Sequence, residues 1–389
     1  MGVIGKLGKL AGQLAHFKNG LPLTNSVRSL QIGSRQSPLA EVSIRGSNPG
    51  ALRMFFYSPT PLPDPPALVV VLHGGMQNAS GYDVGAGWST LADRYGFALL
   101  MPEQTRSNNA LSCFNWFQPD DSERGRGEAL SIQQMIVQAR AEYGIDASRT
   151  FITGLSAGGA MTSVMLATYP ELFAGGAIIA GLPFGAATTL QDAFQIMTQA
   201  PSRSPREWGD RVRTASSHRG PWPKISVWHG TADATVSALN AVEIVKQWTD
   251  VHGLSQTPTA VETVDGFPRQ VWRNADGDEL LESYSVTGMA HGTPLATGAG
   301  NQQCGAAGPY LLDVGVSSSY HIARFFGLTG AVRAANQIDL FASCDAAAKK
   351  HAEDSPSDAG PGRKRPQPPI DVGTVIAKAL TAAGLMKSN

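Results

Sequence analysis

A strand-like segment that runs directly into a Gly-x-Ser-x-Gly sequence constrains this chain more than any other feature. The segment Arg149-Thr-Phe-Ile-Thr153 precedes Gly154-Leu-Ser156-Ala-Gly158, and a helix-like run from Ala160 to Tyr169 follows. This order predicts a nucleophile elbow, in which a serine occupies a strained turn between a strand and a helix. A β-carbon on either glycine would crowd such a turn. A bare Gly-x-Ser-x-Gly also occurs by chance in glycine-rich loops, but the flanking segments favour the elbow.

Strand-like and helix-like segments alternate on both sides of the elbow. Ala67 to Leu72 is a continuous apolar run, typical of a central strand that is buried on both faces. Alternation of this kind predicts an α/β fold with a mostly parallel, doubly wound sheet. The other predicted strands are 52–57, 97–101 (ended by Pro102), 175–180, 225–229 and 280–286, and the other predicted helices are 88–95, 127–143 and 236–252.

The chain of 389 residues divides into four predicted segments. Residues 1–46 form a leader with a short amphipathic helix, residues 47–330 the α/β domain, residues 331–369 a polar, Pro-rich linker, and residues 370–389 a C-terminal amphipathic helix. Lys6 and Lys9 interrupt the apolar core that a secretory signal needs, so the sequence does not predict export and favours a cytoplasmic location.

Charge and hydropathy exclude some classes of partner. The chain has 31 basic and 31 acidic residues, so neither nucleic acid nor an anionic membrane is expected as its main partner. No apolar run approaches the roughly 20 residues that span a bilayer. The oligomeric state is not indicated.

Three cysteines, Cys113, Cys304 and Cys344, are too few for a disulfide scaffold and match no metal-ligand spacing. A bridge between Cys113 and Cys304 is possible, because both lie in loop-like segments on the same predicted face. The alternative is three free thiols.

A serine nucleophile needs a base, and the base needs a carboxylate that orients it. In this class of fold the three residues follow one another along the chain as Ser, Asp and His. Asp233 comes just after a predicted strand, so it is the predicted acid, although a plain helix N-cap is the alternative. His291 lies in a glycine-rich loop after the next strand and is the predicted base. Ser156, Asp233 and His291 are therefore the predicted triad.

Four other histidines have structural interpretations. His252 and His321 are expected to pack in helices, His229 to stiffen a strand end, and His73 to brace its loop.

An oxyanion intermediate needs preorganised N–H donors. One donor is predicted at Ala157, the residue after the nucleophile, and the other at Gly75 or Met76 in the loop after the strand 67–72. Gln77, in the same loop, and Trp116 are the candidate substrate contacts. The alternative for Trp116 is packing beneath a long loop.

Several motifs, taken in order along 52–328, resemble the polyhydroxybutyrate depolymerase family of esterases, relatives of feruloyl and acetylxylan esterases in carbohydrate esterase family one. They are Leu72-His-Gly-Gly-Met-Gln77, Cys113-Phe-Asn-Trp-Phe117, Gly127-Glu-Ala-Leu-Ser-Ile132, Gly154-Leu-Ser-Ala-Gly-Gly-Ala-Met161, Ala180-Gly-Leu-Pro183, Trp228-His-Gly-Thr-Ala-Asp233 and Gly308-Pro-Tyr-Leu-Leu-Asp313. The resemblance implies an α/β-hydrolase fold, the same triad, and no metal or organic cofactor. Many relatives carry cysteine where Gly75 or Ala186 stands in this chain, so the family's disulfide pattern is not expected to carry over.

These observations predict a serine carboxylic-ester hydrolase that works through an acyl-enzyme. Polyhydroxyalkanoate, feruloyl and acetyl-sugar esters are all candidate substrates, either small or polymeric. An acyltransferase of the same fold and a catalytically silent hydrolase-like binding protein are the alternatives.

Overall fold

The computed structural model describes residues 36–200 and 202–330. The leader helix predicted near the N-terminus, the linker at 331–369, the helix at 370–389 and Cys344 lie outside the described residues.

One large mixed sheet organises this part of the chain. Its strands are β1 (Ala40–Val42), β2 (Arg53–Tyr57), β3 (Leu68–Leu72), β4 (Ala98–Glu103), β5 (Thr150–Leu155), β6 (Gly175–Ile179), β7 (Lys224–Gly230), β8 (Ala260–Val264), β9 (Phe267–Arg273) and β10 (Glu279–Val286). They lie in the order β1-β2-β4-β3-β5-β6-β7-β10-β9-β8. The strands β4, β3, β5, β6, β7 and β10 run parallel, and antiparallel strands extend the sheet at both edges. Since β1 belongs to it, the sheet begins within the segment predicted as a leader.

Helices cover the sheet. They are α1 (Ala79–Ala86), α2 (Trp88–Tyr95), α3 (Pro119–Ser122), α4 (Gly127–Tyr143), α5 (Ala157–Thr168), α6 (Leu190–Thr198), α7 (Pro205–Thr214), α8 (Leu239–Val251) and α9 (Ser318–Phe325). A separate two-stranded sheet pairs β11 (Thr293–Leu295) with β12 (Leu311–Asp313). None of the helices in the described ranges is long and apolar enough to cross a membrane.

The core lies on both faces of the sheet, as the side chains of β3 demonstrate. Leu68 and Val70 pack on one face with residues of α4, α5 and α8. Val69 and Val71 pack on the other face with residues of α1, α2 and α9. Because successive side chains of a strand point to opposite faces, an all-apolar strand needs a helical layer on each side. The predicted mostly parallel sheet between helices is confirmed.

The strand order decides where the predicted site residues meet. Parallel strands end on the same edge of a sheet, and β3, β5, β7 and β10 all end there. The loops that follow them carry Gly75, Ser156, Asp233 and His291, respectively.

Candidate active site

Ser156 lies in a strained turn between β5 and α5. Its φ is 56° and its ψ is −116°, a conformation that non-glycine residues rarely adopt. Gly158 makes the turn possible, because a β-carbon there would stand 2.5 Å from the carbonyl oxygen of His73. A β-carbon on Gly154 would collide with the carbonyl group of Gly158. The local backbone is therefore that of the predicted nucleophile elbow.

Three side chains from three loops form one hydrogen-bonded chain. Nε2 of His291 lies 2.9 Å from Oγ of Ser156. Nδ1 of the same ring lies 2.7 Å from Oδ2 of Asp233. His291 and Asp233 are both buried, whereas Ser156 is half-buried. A carboxylate can only accept, so the Nδ1 nitrogen carries the proton and Nε2 is left to accept from the serine hydroxyl.

Asp233 is held as a carboxylate by donors on both of its oxygens. Oδ1 accepts from the backbone N–H groups of Thr235, at 2.9 Å, and Val236, at 2.8 Å. Oδ2 faces His291 and, at 3.2 Å, Nε2 of His229. Burial alone would raise the pKa of Asp233, but the hydrogen bonds from His229 and His291 outweigh it and hold this pKa well below its usual range. The acid is ionised at neutral pH.

The loops that carry Asp233 and His291 are joined to each other by backbone hydrogen bonds. Thr231 N–H donates to the carbonyl of Val286 at 3.0 Å, and Ala232 N–H donates to the carbonyl of Met289 at 3.0 Å. These loops leave the neighbouring parallel strands β7 and β10. The pairing of β7 with β10 and these backbone hydrogen bonds therefore hold Asp233 and His291 at a fixed separation.

Two backbone amides are candidates for binding an oxyanion. Ala157 is the first residue of α5, so its N–H has no carbonyl partner within the helix. In the loop after β3, the N–H of Met76 donates to the carbonyl of Leu111 at 2.6 Å, which excludes Met76 as a free donor. The N–H of Gly75 has no acceptor within the part of the chain described. Gly75 is accordingly the better candidate of the two.

The buried carboxyl group of Glu128, whose pKa is raised to about 8 mainly by burial, organises the segment that holds this loop. Its oxygens accept from Nε2 of Gln104 at 2.5 Å, from the N–H of Asn115 at 2.9 Å and from Nδ2 of Asn115 at 2.7 Å. Asn109 donates from Nδ2 to Oδ1 of Asn115 and accepts from the N–H of Leu111. The contacts run from Glu128 to Leu111, whose carbonyl binds Met76.

Gln77 and Trp116 have packing or bracing contacts. Oε1 of Gln77 accepts from the N–H of Gly74 at 2.9 Å, so that oxygen closes the loop on itself. Trp116 is 8% exposed and meets Phe117 edge to face, with ring centroids 5.5 Å apart. These contacts agree with the alternative of packing beneath the loop, and substrate contact by either residue stays a prediction.

Of the two alternatives for Cys113 and Cys304, the structure has the free thiols and not the bridge. Cys304 is buried, with Sγ 3.4 Å from Oγ of Ser317. Sγ of Cys113 instead faces Gly75. The two thiols have different surroundings, and loop character alone could not predict a pairing.

Three histidines have contacts of the structural kind that the sequence predicted. In His73, Nδ1 lies 2.8 Å from the carbonyl of Gly74, and Nε2 accepts from the N–H of Gln104 at 3.1 Å. His252 contacts the carbonyl of Pro223, and His321 contacts Asp265. Burial lowers the pKa of His73, His252 and His321.

Some residues at the site were missed or undervalued from sequence. They are His229, which contacts Asp233, Glu128, which anchors the segment bound to the loop after β3, and Tyr310, whose ring meets that of His291 edge to face with centroids 6.0 Å apart. Glu128 and Tyr310 stand inside motifs that were recognised, but a motif does not show which of its side chains turn inward.

Comparison with known proteins identifies the family of this chain. Residues 54–266 match the family model described as Esterase PHB depolymerase. Poly(3-hydroxyalkanoate) depolymerase C of Paucimonas lemoignei is 50% identical over 293 residues, which cover 75% of this chain and 70% of that protein. Acetylxylan esterase of Coprinopsis cinerea is 35% identical over 263 residues, covering 66% of this chain and 69% of that protein.

Further similar proteins are also named as esterases. Feruloyl esterase B of Talaromyces stipitatus is 35% identical over 265 residues, covering 66% of this chain and 72% of that protein. Among solved structures, acetyl xylan esterase from Aspergillus awamori aligns with a TM-score of 0.63 and 26% identity, over 75% of this chain and 99% of that one. The fold is that of the α/β hydrolases. The chain belongs to the PHB depolymerase family of esterases and is a carboxylic ester hydrolase.

Proposed function

We propose that the protein is a serine esterase in which Ser156 forms an acyl-enzyme. The observation that carries the proposal is the pair of contacts of His291, 2.9 Å to Ser156 Oγ and 2.7 Å to Asp233 Oδ2. One imidazole thereby connects a hydroxyl that must lose a proton to a carboxylate that stabilises the resulting imidazolium.

The proposed acylation follows from these positions. As the Oγ of Ser156 bonds to the ester carbonyl carbon, its proton passes to Nε2 of His291. The carbonyl oxygen becomes an oxyanion that accepts from the N–H groups of Ala157 and Gly75. Collapse of the tetrahedral intermediate breaks the bond to the alkoxy group, which leaves as the alcohol with the proton from His291.

Deacylation reverses the same proton path. A water molecule gives a proton to Nε2 of His291 and adds to the acyl carbon. The second tetrahedral intermediate then releases the carboxylic acid as Oγ of Ser156 recovers the proton. Asp233 keeps Nδ1 protonated throughout, so that Nε2 faces the serine in each resting state.

For the substrate, hydroxyalkanoate esters are the first candidate. The relative named as a poly(3-hydroxyalkanoate) depolymerase is 50% identical to this chain, against 35% for the relatives named as acetylxylan and feruloyl esterases. This difference in identity supports the hydroxyalkanoate class over acetyl or feruloyl sugars.

Two serines, one in the turn before α5 and one within α5, test the mechanism. Ser156→Ala removes the proposed nucleophile, whereas Ser163→Ala removes a hydroxyl in α5 that donates to the carbonyl of Leu182. Turnover of a p-nitrophenyl ester should fall by roughly 10⁴-fold or more in the first variant and stay within a few-fold in the second. Full turnover by a folded Ser156→Ala protein would refute the proposal.

The substrate class needs a separate assay. Hydroxybutyrate oligomers, acetylated xylan and methyl ferulate should be offered to the same enzyme preparation, with release of acid quantified for each. The proposal predicts the highest kcat/KM on the hydroxybutyrate oligomers. A higher value on acetylated xylan or on methyl ferulate would assign the enzyme to that substrate class instead, without affecting the role of Ser156.

A further inference from the structure

Asp233 is approached by two imidazoles, and the mechanism above uses one of them. Nε2 of His229 lies 3.2 Å from the same Oδ2 that pairs with His291. Nε2 of His229 is also 2.8 Å from the backbone carbonyl of Val236. The second imidazole therefore touches the acid of the triad directly.

The protonation of the His229 ring follows from its partners. A carboxylate and a carbonyl can only accept, so Nε2 carries the proton. Its N–H donates to the carbonyl of Val236, and Oδ2 of Asp233 lies 3.2 Å from the same nitrogen. Nδ1 is buried and has no hydrogen-bond partner within the described residues. Burying a nitrogen without a hydrogen-bond partner costs free energy. Packing alone therefore does not explain why a histidine stands at position 229.

His229 completes the set of donors around the carboxylate. Two backbone N–H groups hold Oδ1, and the two imidazoles hold Oδ2. The donor of His229 restrains rotation of the carboxylate and takes up part of its negative charge. His291 must gain and lose a proton in every cycle. Asp233 must therefore stabilise the imidazolium form of His291, but not so strongly that the ring fails to release its proton.

Resting on the proposed function, we infer that His229 is a positioning residue of the triad, which orients Asp233 and moderates its pull on the proton at Nδ1 of His291. His229 lies on β7 opposite Ser285 of β10. Among the described residues, the titratable side chain in contact with His229 is Asp233, which in turn contacts His291.

Two substitutions separate this role from packing. His229→Leu fills the site without a donor, whereas His229→Gln keeps an N–H at about the reach of Nε2. The leucine variant should lose about tenfold in kcat with little change in KM, which is the scale of one hydrogen bond to a charged group. The glutamine variant should recover most of the loss.

The pH profile provides a readout that a packing role would not move. Without the donor of His229, Asp233 attracts the proton of His291 more strongly, and the imidazolium form of His291 is favoured. The acid limb of kcat should therefore move to higher pH in His229→Leu and return in His229→Gln. Should the leucine variant not fold, His229→Asn, whose shorter amide does not reach Asp233, replaces it with the same expectation.

His321→Leu is the matched control. His321 is also a buried histidine with one nitrogen bound to a carboxylate, Asp265, and the other unpaired among the described residues. Its loss should reduce thermal stability and leave the pH profile in place.

The results decide the inference in either direction. It is overturned if His229→Leu keeps both kcat and the acid limb, or if leucine and glutamine reduce kcat equally with no shift of the limb. The low-field proton resonance of the His291–Asp233 hydrogen bond, measured on the same variants, does not depend on turnover. If the wild-type protein hydrolyses no ester, the proposed function fails, while displacement of that resonance in His229→Leu still tests His229.

Discussion

The sulfur of Cys113 lies so close to Gly75 that a β-carbon on residue 75 would stand 2.5 Å from it. The next nearest atom would be the carbonyl oxygen of Leu111, at 3.9 Å. The glycine at this position is therefore required by one neighbouring sulfur atom.

Gly75→Ala should consequently displace the amide proposed to bind the oxyanion. We expect kcat to fall by about 10- to 1000-fold, because loss of one oxyanion donor in a comparable site costs up to 10³. The double variant Gly75→Ala/Cys113→Ala removes the sulfur and should recover much of the activity. Steady-state kinetics on the single and double variants check this, and equal loss in both would show that the sulfur is not the cause.

Gly75→Cys should form a disulfide with Cys113. The two β-carbons would be 4.0 Å apart, within the range of about 3.5–4.5 Å that disulfides adopt. Closing the intervening loop can stabilise the folded state by up to about 4 kcal/mol. Thiol titration and the melting temperature with and without reductant measure the effect. An oxidised sample that still titrates both thiols would contradict the geometry.

Glu128→Gln should loosen the oxyanion loop. The amide keeps one oxygen, which can still accept from Nε2 of Gln104 and Nδ2 of Asn115, but its NH₂ group would face the N–H of Asn115, so that a buried donor loses its acceptor. We expect a loss of about 1–3 kcal/mol in the free energy of unfolding, together with a lower kcat. Glu123→Gln, whose carboxylate is exposed beside Arg126, should change stability by less than about 0.5 kcal/mol. Similar denaturation midpoints for the two variants would refute the anchoring role of Glu128.

Asp233 should make the stability of the protein depend on pH. Its pKa is lower in the folded state than in the unfolded chain, so ionised Asp233 stabilises the fold above the unfolded pKa of about 3.9, and this contribution is lost as the pH falls below it. Asp233→Asn should therefore destabilise the protein more at pH 7 than at about pH 3. Denaturant titrations at both pH values, with the exposed Asp276→Asn as control, measure the difference. An equal loss of stability in Asp233→Asn at both pH values would contradict the ionised, hydrogen-bonded state of Asp233.

The helices predicted most accurately from sequence end at glycines that stop a helix. The helices at 88–95 and 127–143 were predicted with the bounds that the structure has, because Gly96 (φ 76°) and Gly144 (φ 64°) end them in the left-handed region. The strand predicted to stop before Pro102 continues to Glu103. Pro102 lies beyond the residues of β4 that pair with β3, and it stands opposite Met54 of the antiparallel neighbour β2.

The helix predicted from Val236 begins at Leu239, because Oδ1 of Asp233 already binds the N–H groups of Thr235 and Val236. This side-chain contact also explains why Asp233 resembled a helix N-cap in the sequence. The antiparallel strand β8 is largely exposed, and β9 alternates only weakly in polarity, so hydrophobic pattern did not predict them.

The order of Ser156, Asp233 and His291 was predictable because each follows a recognisable strand. The choice between Gly75 and Met76 was not, since it depends on the carbonyl of Leu111, a contact with a distant loop. The contact between His229 and Asp233 likewise depends on how the loop after β7 turns back on its own strand. Side-chain contacts of this kind need three-dimensional positions.

Covalent labelling tests the central claim most directly. The full-length protein is treated with a fluorophosphonate, residual esterase activity is followed over time, and the adduct is located by peptide mass spectrometry. Our account predicts a single adduct on Ser156 whose formation parallels the loss of activity. An inactivated enzyme with the adduct on another residue and Ser156 unmodified would contradict it.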